Sequence, residues 1–419
     1  MTTPRIAYLT GEYPRVSHTF ILREIEALRR LGAVVDTFSI RATPADQHPG
    51  AEEKEAFRTT WQVQAAARSP AKALKALATA DKGRLLLALK LAWKTRPPGL
   101  KAAIWQMAYL LQGAVLAQRL QELGTGHLHN HFANSSCSTA MLAAEIAGIP
   151  FSVTMHGPAI FFEPTWWRID AKIARAAFTA CISHFCRAQG MIFADPTHWD
   201  RMKIIHCGVT PALYAPTDDA PPKTGKRLLF VGRLAAIKGV VVLLDAMARV
   251  KEVHPDAHLT LVGDGGERKG LEAKARALGI DGMVTFAGYR SQPEVAAALR
   301  EADAFVLPSF AEGVPVVLME AMASQTPVIA PRVAGVSELV EDGEAGFTVQ
   351  PGDVEHLTAR ILDLLADPAR RAAMGRAGRA KVEADFDIDI EGARMLALIK
   401  GHAEGALPDG LRPAPASAA

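Results

Sequence analysis

The chain has 419 residues, a formal net charge of +3, 49% hydrophobic residues and 22% charged residues. This length fits two domains of roughly 200 residues better than one core, and the composition is typical of a globular protein. The small charge gives no indication of a nucleic-acid partner. The four cysteines form no C-x-x-C pair and no zinc spacing, so we expect a reducing cytoplasmic location. The N-terminus lacks the apolar core of a signal peptide, and no run of about 18 apolar residues predicts a membrane span.

The first half alternates short apolar runs with helical patterns. The runs that predict strands are at 6–9, 34–39, 127–131, 151–155 and 180–183. The clearest helical patterns are at 17–31 and in the stretch that ends at 147. Ser17 is a plausible N-cap for the first of these helices.

A basic helical segment interrupts this alternation between residues 58 and 119. Asp81 is its one acidic residue, and Trp93 and Trp105 lie among its apolar residues. A basic stretch with interfacial aromatic residues is typical of a segment that docks on an anionic membrane surface. The alternative is a helical insertion whose apolar face packs on its own domain and whose basic face is solvated.

The second half alternates more regularly. Strand patterns occur at 228–231, 259–262, 284–287, 304–307 and 328–330, and helical patterns at 240–252, 267–278, 293–302 and 315–324. Such alternation predicts β-α-β units and a doubly wound parallel sheet. The Pro-, Asp- and Thr-rich segment 211–226 separates the two halves and is typical of a linker.

Ligands of parallel sheets bind beyond the carboxyl ends of the strands, and these ends carry suggestive residues in the second half. Gly232 allows close backbone approach after the first strand, and Arg233 and Lys238 could place two cations on one anion. The alternative is two solvated bases near a turn. Gly263 and Gly265 form a tight turn after the second strand, where a flat or anionic group could approach the backbone.

Two further loops complete the set of candidate ligand contacts. Tyr289 follows the third strand, where a nucleobase could lie. After the fourth strand the chain turns through Gly313 and begins a helix, whose first amides, Val316 and Val317, could bind an anion. The carboxylates of this stretch are Glu312 and Glu320. Since carboxylates repel phosphate, they suggest a ligand that also offers hydroxyl groups, although a Glu near a helix start can equally stabilise the helix dipole.

The first half offers fewer candidates. His156 follows a strand and could hydrogen-bond a sugar hydroxyl or a developing charge. Gly11 lies in the loop expected after the first strand. Three alternating histidines, His127, His129 and His131, would share one face of a strand, but no fitting carboxylate or cysteine lies near them in the sequence. We therefore expect no metal site.

The chain resembles the family 4 retaining glycosyltransferases of the GT-B fold. The resemblance covers nearly the whole second half. Its motifs are Gly-Arg-Leu at 232–234 with Lys238-Gly239, Val-Gly-Asp-Gly at 262–265, Phe-Ala-Gly-Tyr at 286–289, Pro308-Ser309, Glu-Gly-x-Pro…Glu at 312–320, 327–330, 335–340 and Gly346-Phe347. In the first half the chain resembles the exopolysaccharide and colanic-acid branch. The motifs there are Tyr13-Pro14, Ser17, Thr-Phe-Ile at 19–21, Glu24-Ile25, His129 and His131 with Phe132-Ala133, and Thr154-x-His156-Gly157.

The resemblance implies an α/β protein with two Rossmann-like doubly wound parallel-sheet domains facing a central cleft. Residues 1–207 with a crossover helix at about 386–404 would form an acceptor-binding domain, and 52–120 its basic helical insertion. Residues 208–385 would form the donor-binding domain, and 405–419 a disordered tail.

The resemblance also implies roles for individual residues. Arg233 and Lys238 would hold the donor diphosphate without a metal, Glu312 would contact the transferred sugar, and Glu320 would accept hydrogen bonds from the ribose. His156 would lie near the reacting centre. The other implied donor contacts are Gly11, Gly232, Gly263, Gly265, Tyr289, Gly313, Val316 and Val317. Weaker candidates on the acceptor side are Tyr13, Ser17, His18 and His131.

The expected activity is transfer of a hexosyl group from a UDP-, GDP- or other nucleoside-diphosphate sugar to a lipid-linked or polysaccharide acceptor. We expect no cofactor and no nucleic acid, and a location at the inner face of the cell membrane. Two alternatives remain open: an epimerase or phosphorylase of the same fold, and a non-catalytic sugar-nucleotide-binding protein. The sequence names neither the sugar nor the acceptor.

Overall fold

The protein consists of two compact units. The structure is a computed structural model that describes residues 4–47, 50–217 and 223–408. The first unit comprises the described residues of Met1–His206 and Ile388–Ala419, and the second those of Cys207–Asp387. Most of the predicted disordered tail, residues 409–419, lies outside the described residues.

A seven-stranded sheet forms the centre of the first unit. Its strands are β1 (Ile6–Glu12), β2 (Val35–Arg41), β3 (Trp61–Gln62), β4 (His127–His131), β5 (Phe151–Met155), β6 (Thr179–Cys181) and β7 (Met202–Ile204). The strand order is β3-β2-β1-β4-β5-β6-β7, and each neighbouring pair is parallel. Four of the strands are buried along nearly their whole length because helices cover both faces of such a sheet.

Helices surround this sheet. They are α1 (Thr19–Arg30), α2 (Ala51–Thr59), α3 (Val63–Ala67), α4 (Pro70–Thr79), α5 (Lys82–Thr95), α6 (Leu100–Leu123), α7 (Ser135–Ala147), α8 (Pro164–Trp167), α9 (Ile169–Arg175) and α10 (His184–Phe193). Among the residues that the structure describes, no helix is both long enough and apolar enough to cross a membrane.

The second unit contains a six-stranded parallel sheet. Its strands are β8 (Arg227–Val231), β9 (His258–Val262), β10 (Val284–Gly288), β11 (Ala304–Val306), β12 (Val328–Pro331) and β13 (Gly346–Val349), in the order β10-β9-β8-β11-β12-β13. Its helices are α11 (Val240–Val253), α12 (Arg268–Ala277), α13 (Gln292–Glu301), α14 (Val316–Ala323), α15 (Val336–Leu339), α16 (Val354–Ala366) and α17 (Pro368–Asp385). The predicted α/β class with two Rossmann-like parallel sheets is confirmed.

The last helix, α18 (Ile388–Ala403), belongs to the first unit. Met395, Leu398 and Ile399 of α18 share a buried apolar cluster with Ile21 and Ile25 of α1. The apolar spacing of both helices places these residues on facing sides, and their burial fixes the end of the chain on the first unit.

Three local predictions were wrong. The stretch at 211–226 begins with a 3-10 turn, Pro211–Tyr214, whose Tyr214 is 2% exposed, so this part belongs to the core of the second unit and not to a linker. Ser17 lies within a 3-10 turn, and the residue that precedes α1 is His18, which makes no side-chain cap. The basic segment contains a short strand, β3, because Trp61 and Gln62 pair with β2.

Candidate functional site

Both sheets reverse their direction of strand addition at one point. In the second unit this switch lies between β8 and β11, which are neighbours in the sheet although three helices separate them in sequence. Ligands of open parallel sheets bind outside the carboxyl ends of the strands at such a point. The loops that leave these two strands contain the predicted residues Arg233, Lys238 and Glu312.

Lys238 and Glu312 form an ion pair at this switch point. Lys238 Nζ donates to Glu312 Oε1 across 2.6 Å, and the side chains are 19% and 10% exposed. A partly buried carboxylate needs such a partner because desolvation otherwise disfavours its charge. A lysine ammonium carries three N–H groups and this contact uses one of them, so the pair is compatible with a bound phosphate.

The neighbouring helix α14 starts beside this pair. Pro315 precedes the helix in an extended conformation, and Val316 and Val317 are its first two residues. The N–H groups of a first helical turn have no partner within the helix and point toward the helix start. Gly313 accepts a backbone hydrogen bond from Gly335 N at 3.2 Å, which fixes the turn before the helix. The arrangement offers amides and a cation to an anion, with a carboxylate alongside.

Glu320 is held by a residue that the sequence reasoning did not identify. Tyr214 O–H donates to Glu320 Oε1 across 2.8 Å, and Glu320 is 4% exposed. The role of Tyr214 was not predicted because the residue lies in a Pro-rich stretch that has the composition of a linker. An apolar-aromatic pattern around Pro211 and Tyr214 was the available signal.

Gly263 and Gly265 have a packing role in the structure. Gly263 has φ +128°, and a Cβ there would lie 1.9 Å from Gly232 O; a Cβ on Gly265 would lie 2.3 Å from Leu234 O. Gly232 N donates to Val262 O, and Leu234 N donates to Asp264 O. The glycines therefore let the loops after β8 and β9 approach each other. From the sequence we had expected them to make room for a ligand.

Two other predicted donor contacts lie at the surface of the second unit. Tyr289 is 54% exposed and follows Gly288, whose φ is +70°. Arg233 is exposed, and no ion pair joins it to another residue within the described parts of the chain.

In the first unit, histidines gather at the corresponding switch point between β1 and β4. His131 ends β4, and His156 is the first residue after β5. The two rings are connected by a 2.9 Å contact between His131 Nδ1 and His156 Nε2. His18 belongs to the same aromatic group, since its ring centroid lies 4.9 Å from that of Phe132, which in turn lies 4.5 Å from that of His156.

His156 is neutral in this environment. Burial lowers the pKa of His156 well below its usual value, and the nearby His131 and His18 lower it further. Phe132 has φ 70°, an unusual conformation for a residue with a side chain, and Asn130 Nδ2 donates to Phe132 O at 2.8 Å. The turn after β4 is thus held in the shape that brings the Phe132 ring to His156.

The remaining candidates of the first unit are Gly11, Tyr13 and Ser17. Gly11 was expected in a loop but belongs to β1, whose pairing with β2 extends to Glu12. Tyr13 is 2% exposed, and its ring packs in the apolar core with Ile25 and Leu28, so the side chain has a packing role. Ser17 is exposed in the 3-10 turn.

The expectation of no metal site assumed that no carboxylate lies beside the alternating histidines, and this assumption was wrong. A carboxylate does lie beside the alternating histidines: Glu24 of α1 forms a group with His129 and His131 whose potential ligand atoms are within 4.8 Å of one another. Sequence spacing could not show this, because α1 is about a hundred residues away. The two ring nitrogens of His129 contact the hydroxyls of Ser152 and Thr154 at 2.8 and 2.9 Å, so His129 is already bonded on both sides.

The fold is that of the GT-B glycosyltransferases. The structure is similar to sucrose-phosphate synthase from Thermosynechococcus elongatus, with a TM-score of 0.75, 22% identity and coverage of 96% of this chain and all of that one. It is also similar to Anabaena Alr3699/HepE in complex with UDP-glucose, with a TM-score of 0.71, 18% identity and coverage of 96% and 100%.

Sequence comparison adds a family match in the second unit. Residues 216–381 match the family model of the glycosyl transferases group 1. The glycogen synthase of Mycobacterium tuberculosis is 37% identical over 40% of this chain and 40% of its own length. The GDP-mannose-dependent alpha-(1-6)-phosphatidylinositol monomannoside mannosyltransferase of Mycolicibacterium smegmatis is 34% identical over 47% of this chain and 56% of its own. The chain thus spans about half the length of these relatives.

Proposed function

We propose that this protein is a retaining glycosyltransferase that needs no metal and moves a hexosyl group from a nucleoside-diphosphate sugar to a lipid-linked or polysaccharide acceptor. The observation that carries this function is the Lys238–Glu312 pair beside the start of α14, at the switch point of the second sheet. A cation and helix amides suit a diphosphate, and a carboxylate suits sugar hydroxyls. The family match in this unit and the UDP-glucose bound by the Anabaena protein support the same donor class.

The residues suit the charge changes of the reaction. The bond between the anomeric carbon and the phosphate oxygen breaks, and its electron pair stays on the diphosphate. Lys238, Arg233 and the amides of Val316 and Val317 would stabilise that charge without reorganising. The acceptor hydroxyl bonds to the anomeric carbon on the same face, and its proton passes to the departing phosphate oxygen. The protein therefore does not have to supply a nucleophile of its own.

The acceptor is inferred from the surface of the first unit. Leu100, Ile104 and Trp105 at the start of α6 are 80%, 62% and 50% exposed, and Trp93 of α5 is 56% exposed beneath the Arg96 guanidinium, 3.7 Å from the ring centre. Large apolar side chains that are exposed together often mark an interaction site. Basic residues on the same two helices would attract an anionic leaflet: Lys82, Arg84, Lys90, Lys94 and Lys101.

A pocket near this surface adds to the case for a lipid-linked acceptor. It opens to solvent and is lined by Trp105, Tyr109, Trp166 and Trp167 together with Arg168. Aromatic walls suit an acyl or isoprenoid chain, and basic residues suit its phosphate. The phosphatidylinositol mannoside named for the mycobacterial relative is an acceptor of this kind. We place the protein at the inner face of the cell membrane, in surface or exopolysaccharide synthesis.

The donor assignment is tested with purified protein. We expect one nucleoside-diphosphate sugar from a panel that includes UDP-glucose and GDP-mannose to raise the melting temperature, and lipid extract to trigger release of the nucleoside diphosphate. Loss of the contact between Lys238 and the diphosphate in Lys238→Ala should lower donor turnover roughly 10- to 100-fold, because a charge-assisted hydrogen bond contributes about 1.5–3 kcal/mol.

Two comparisons make this test decisive. Lys251→Ala removes an exposed lysine of the same unit whose Nζ contacts Gly279 O, and should leave turnover unchanged. EDTA should not reduce the rate. Unchanged donor use in Lys238→Ala would refute the site, and a requirement for a divalent cation would refute the metal-free reaction. Conversion of the donor without an acceptor would favour an epimerase, and binding without turnover a non-catalytic protein.

A further inference from the structure

A chain of buried polar groups runs from β1 through α1 to the residue after β5. Tyr8 O–H donates to Glu24 Oε1 across 2.6 Å, and His131 Nε2 lies 3.4 Å from the same oxygen. The other nitrogen of His131, Nδ1, is 2.9 Å from His156 Nε2. Tyr8, Glu24 and His131 are 2%, 5% and 0% exposed, and His156 is 7% exposed. We propose that Glu24 is a positioning residue that sets the tautomers of His131 and, through it, of His156.

The direction of the hydrogen bonds follows from the two ends of the chain. Burial, together with Glu24, raises the pKa of Tyr8 well above its usual value, so its hydroxyl stays protonated and donates. Glu24 then accepts the hydrogen bond of Tyr8. A second donor stabilises a buried carboxylate, and His131 Nε2 lies where it can be that donor. When the single proton of the His131 ring is on Nε2, its Nδ1 has a lone pair. His156 must therefore donate from Nε2, which makes its Nδ1 the acceptor of the ring.

The opposite arrangement is unfavourable. If His156 accepted at Nε2, His131 would carry its proton on Nδ1, and the lone pair of its Nε2 would face the carboxylate of Glu24. Among the described residues His131 Nε2 has no hydrogen-bond partner within the usual geometric limits, and the Glu24 carboxylate, at 3.4 Å, is placed to orient it. A small approach of α1 to β4 would close this contact.

A metal is the competing explanation for Glu24, His129 and His131. Glu24 and His131 have a suitable separation, but His129 would have to give up its contact with the hydroxyl of Ser152 or Thr154 to bind an ion. The chain of hydrogen bonds needs no such change at His129, and it also accounts for the positions of Tyr8 and His156. It is therefore the simpler assignment.

The catalytic consequence rests on the proposed function. Under that function a sugar hydroxyl would donate a hydrogen bond to His156, and the atom that accepts it would be Nδ1. In the other tautomer, Nδ1 of His156 would carry the proton, and its N–H would face the O–H of the sugar, which is also a donor. Glu24 would thus influence transfer without touching the substrate, in the manner of a residue that orients a catalytic histidine.

Nuclear magnetic resonance of the full chain with ¹⁵N-labelled histidine tests the tautomers directly. The signals of His131 and His156 are assigned from the spectra of His131→Gln and His156→Gln. We expect Nε2–H tautomers for both residues in the wild type. In Glu24→Gln the amide can donate to His131 Nε2, so both tautomers should reverse. Glu26→Gln is the matched control, since Glu26 lies on the same helix and pairs with Arg29 at the surface.

Kinetics supplies the second readout. Glu24→Gln should lower kcat about tenfold or more, the effect of one lost hydrogen bond to a charged group, while Glu26→Gln stays at the wild-type rate. Glu24→Asp, which keeps the carboxylate, should restore the wild-type tautomers at least in part. A wild-type Nδ1–H tautomer at His131, spectra that do not change in Glu24→Gln, or one equivalent of metal that is lost in Glu24→Gln would overturn the assignment. Absence of transfer in the wild type would defeat the proposed function and leave the tautomer result standing.

Discussion

Several buried polar side chains in this protein are held by partners from distant parts of the chain. Glu320 of α14 is bonded by Tyr214, more than a hundred residues earlier, and Glu312 by Lys238. In each case the carboxylate is nearly buried and its partner lies on a different loop. The charge that a ligand would meet is therefore set by tertiary pairing and not by the local motif.

Tyr214→Phe should weaken the second unit. The substitution removes a hydrogen bond to a buried carboxylate, and such bonds contribute about 1.5–3 kcal/mol. We expect the free energy of unfolding in urea to fall by about this amount. Tyr289→Phe, which removes the hydroxyl of a tyrosine that is 54% exposed, is the matched control and should change stability by less than about 0.5 kcal/mol. Equal stabilities for the two variants would contradict the role of Tyr214.

Lys172 gives the first unit a defined dependence on pH. Its Nζ donates to Ala133 O and Asn134 O at 2.8 Å each, and burial lowers its pKa from 10.5 to about 8. Since the unfolded chain holds this proton more tightly, charging Lys172 opposes folding below pH 8, and the penalty fades as pH rises from 8 to 10.5. Between pH 7.5 and 10 the wild type should gain about 2 kcal/mol relative to Lys172→Met.

Urea unfolding of both proteins at the two pH values checks this expectation. The other titrating groups occur in both proteins, so the difference reports Lys172 together with its electrostatic effect on the pKa of the buried Cys137 thiol. A difference that stays constant, or that changes in the other direction, would show that Lys172 titrates in the native protein much as it does in the unfolded chain.

At the scale of elements, glycine-rich turns connect the loops of the second sheet. The turns after β8 and β9 approach so closely that a Cβ at Gly263 would lie 1.9 Å from Gly232 O. These loops also carry Arg233 and precede Lys238. A shift of the β9 turn would therefore move the candidate phosphate contacts as well as loosen the unit.

Gly263→Ala should be strongly destabilising. The new Cβ meets backbone that cannot rotate away, and the φ of +128° is itself strained for a residue with a side chain. Strain of this kind costs on the order of 1–3 kcal/mol before the clash is added. Gly266→Ala is the control in the same turn, because nothing lies within 4 Å of its Cβ position. Comparable melting temperatures for the two variants would contradict the close approach.

The hydrophobic pattern of the sequence predicted most strands and helices, but it did not predict where each of them ends. Five strands and four helices of the second half were predicted to within a few residues because buried parallel strands are apolar runs with glycine or proline at their limits. The strand β13 and the helices α15, α16 and α17 were not predicted. The two-residue strand β3 and the core role of Tyr214 could not be predicted, since neither has a local signal that outweighs its polar or Pro-rich surroundings.

At the scale of the whole molecule, positive charge and exposed apolar area coincide on α5 and α6. The net charge is only +3, whereas residues 82–101 contain six lysines and arginines and no acidic residue. The C-terminal half of α6 is buried against the first unit, with Leu116 and Leu120 at 0% exposure. The segment is thus both a packed part of its unit and, at one end, a candidate membrane surface.

Vesicle flotation tests this surface. We expect the protein to float with phosphatidylglycerol vesicles at low salt and much less with phosphatidylcholine or at high salt. The double variant Leu100→Ala, Ile104→Ala should bind roughly tenfold more weakly or worse, since each side chain contributes on the order of 1 kcal/mol when buried in lipid. Ile192→Ala with Val253→Ala, exposed apolar residues elsewhere, should not differ from the wild type. A wild type that fails to float with anionic vesicles would end the membrane assignment.

The sequence by itself determined the class of both sheets and the place where α14 begins. Strand periodicity, glycine turns and helix starts are local consequences of backbone sterics, so they can be recognised within a dozen residues. The tertiary structure alone decided which charges meet: Lys238 with Glu312, Tyr214 with Glu320, and Glu24 with His131. These contacts join side chains from different loops and helices, and their positions depend on how the whole sheet is covered, which no local pattern encodes.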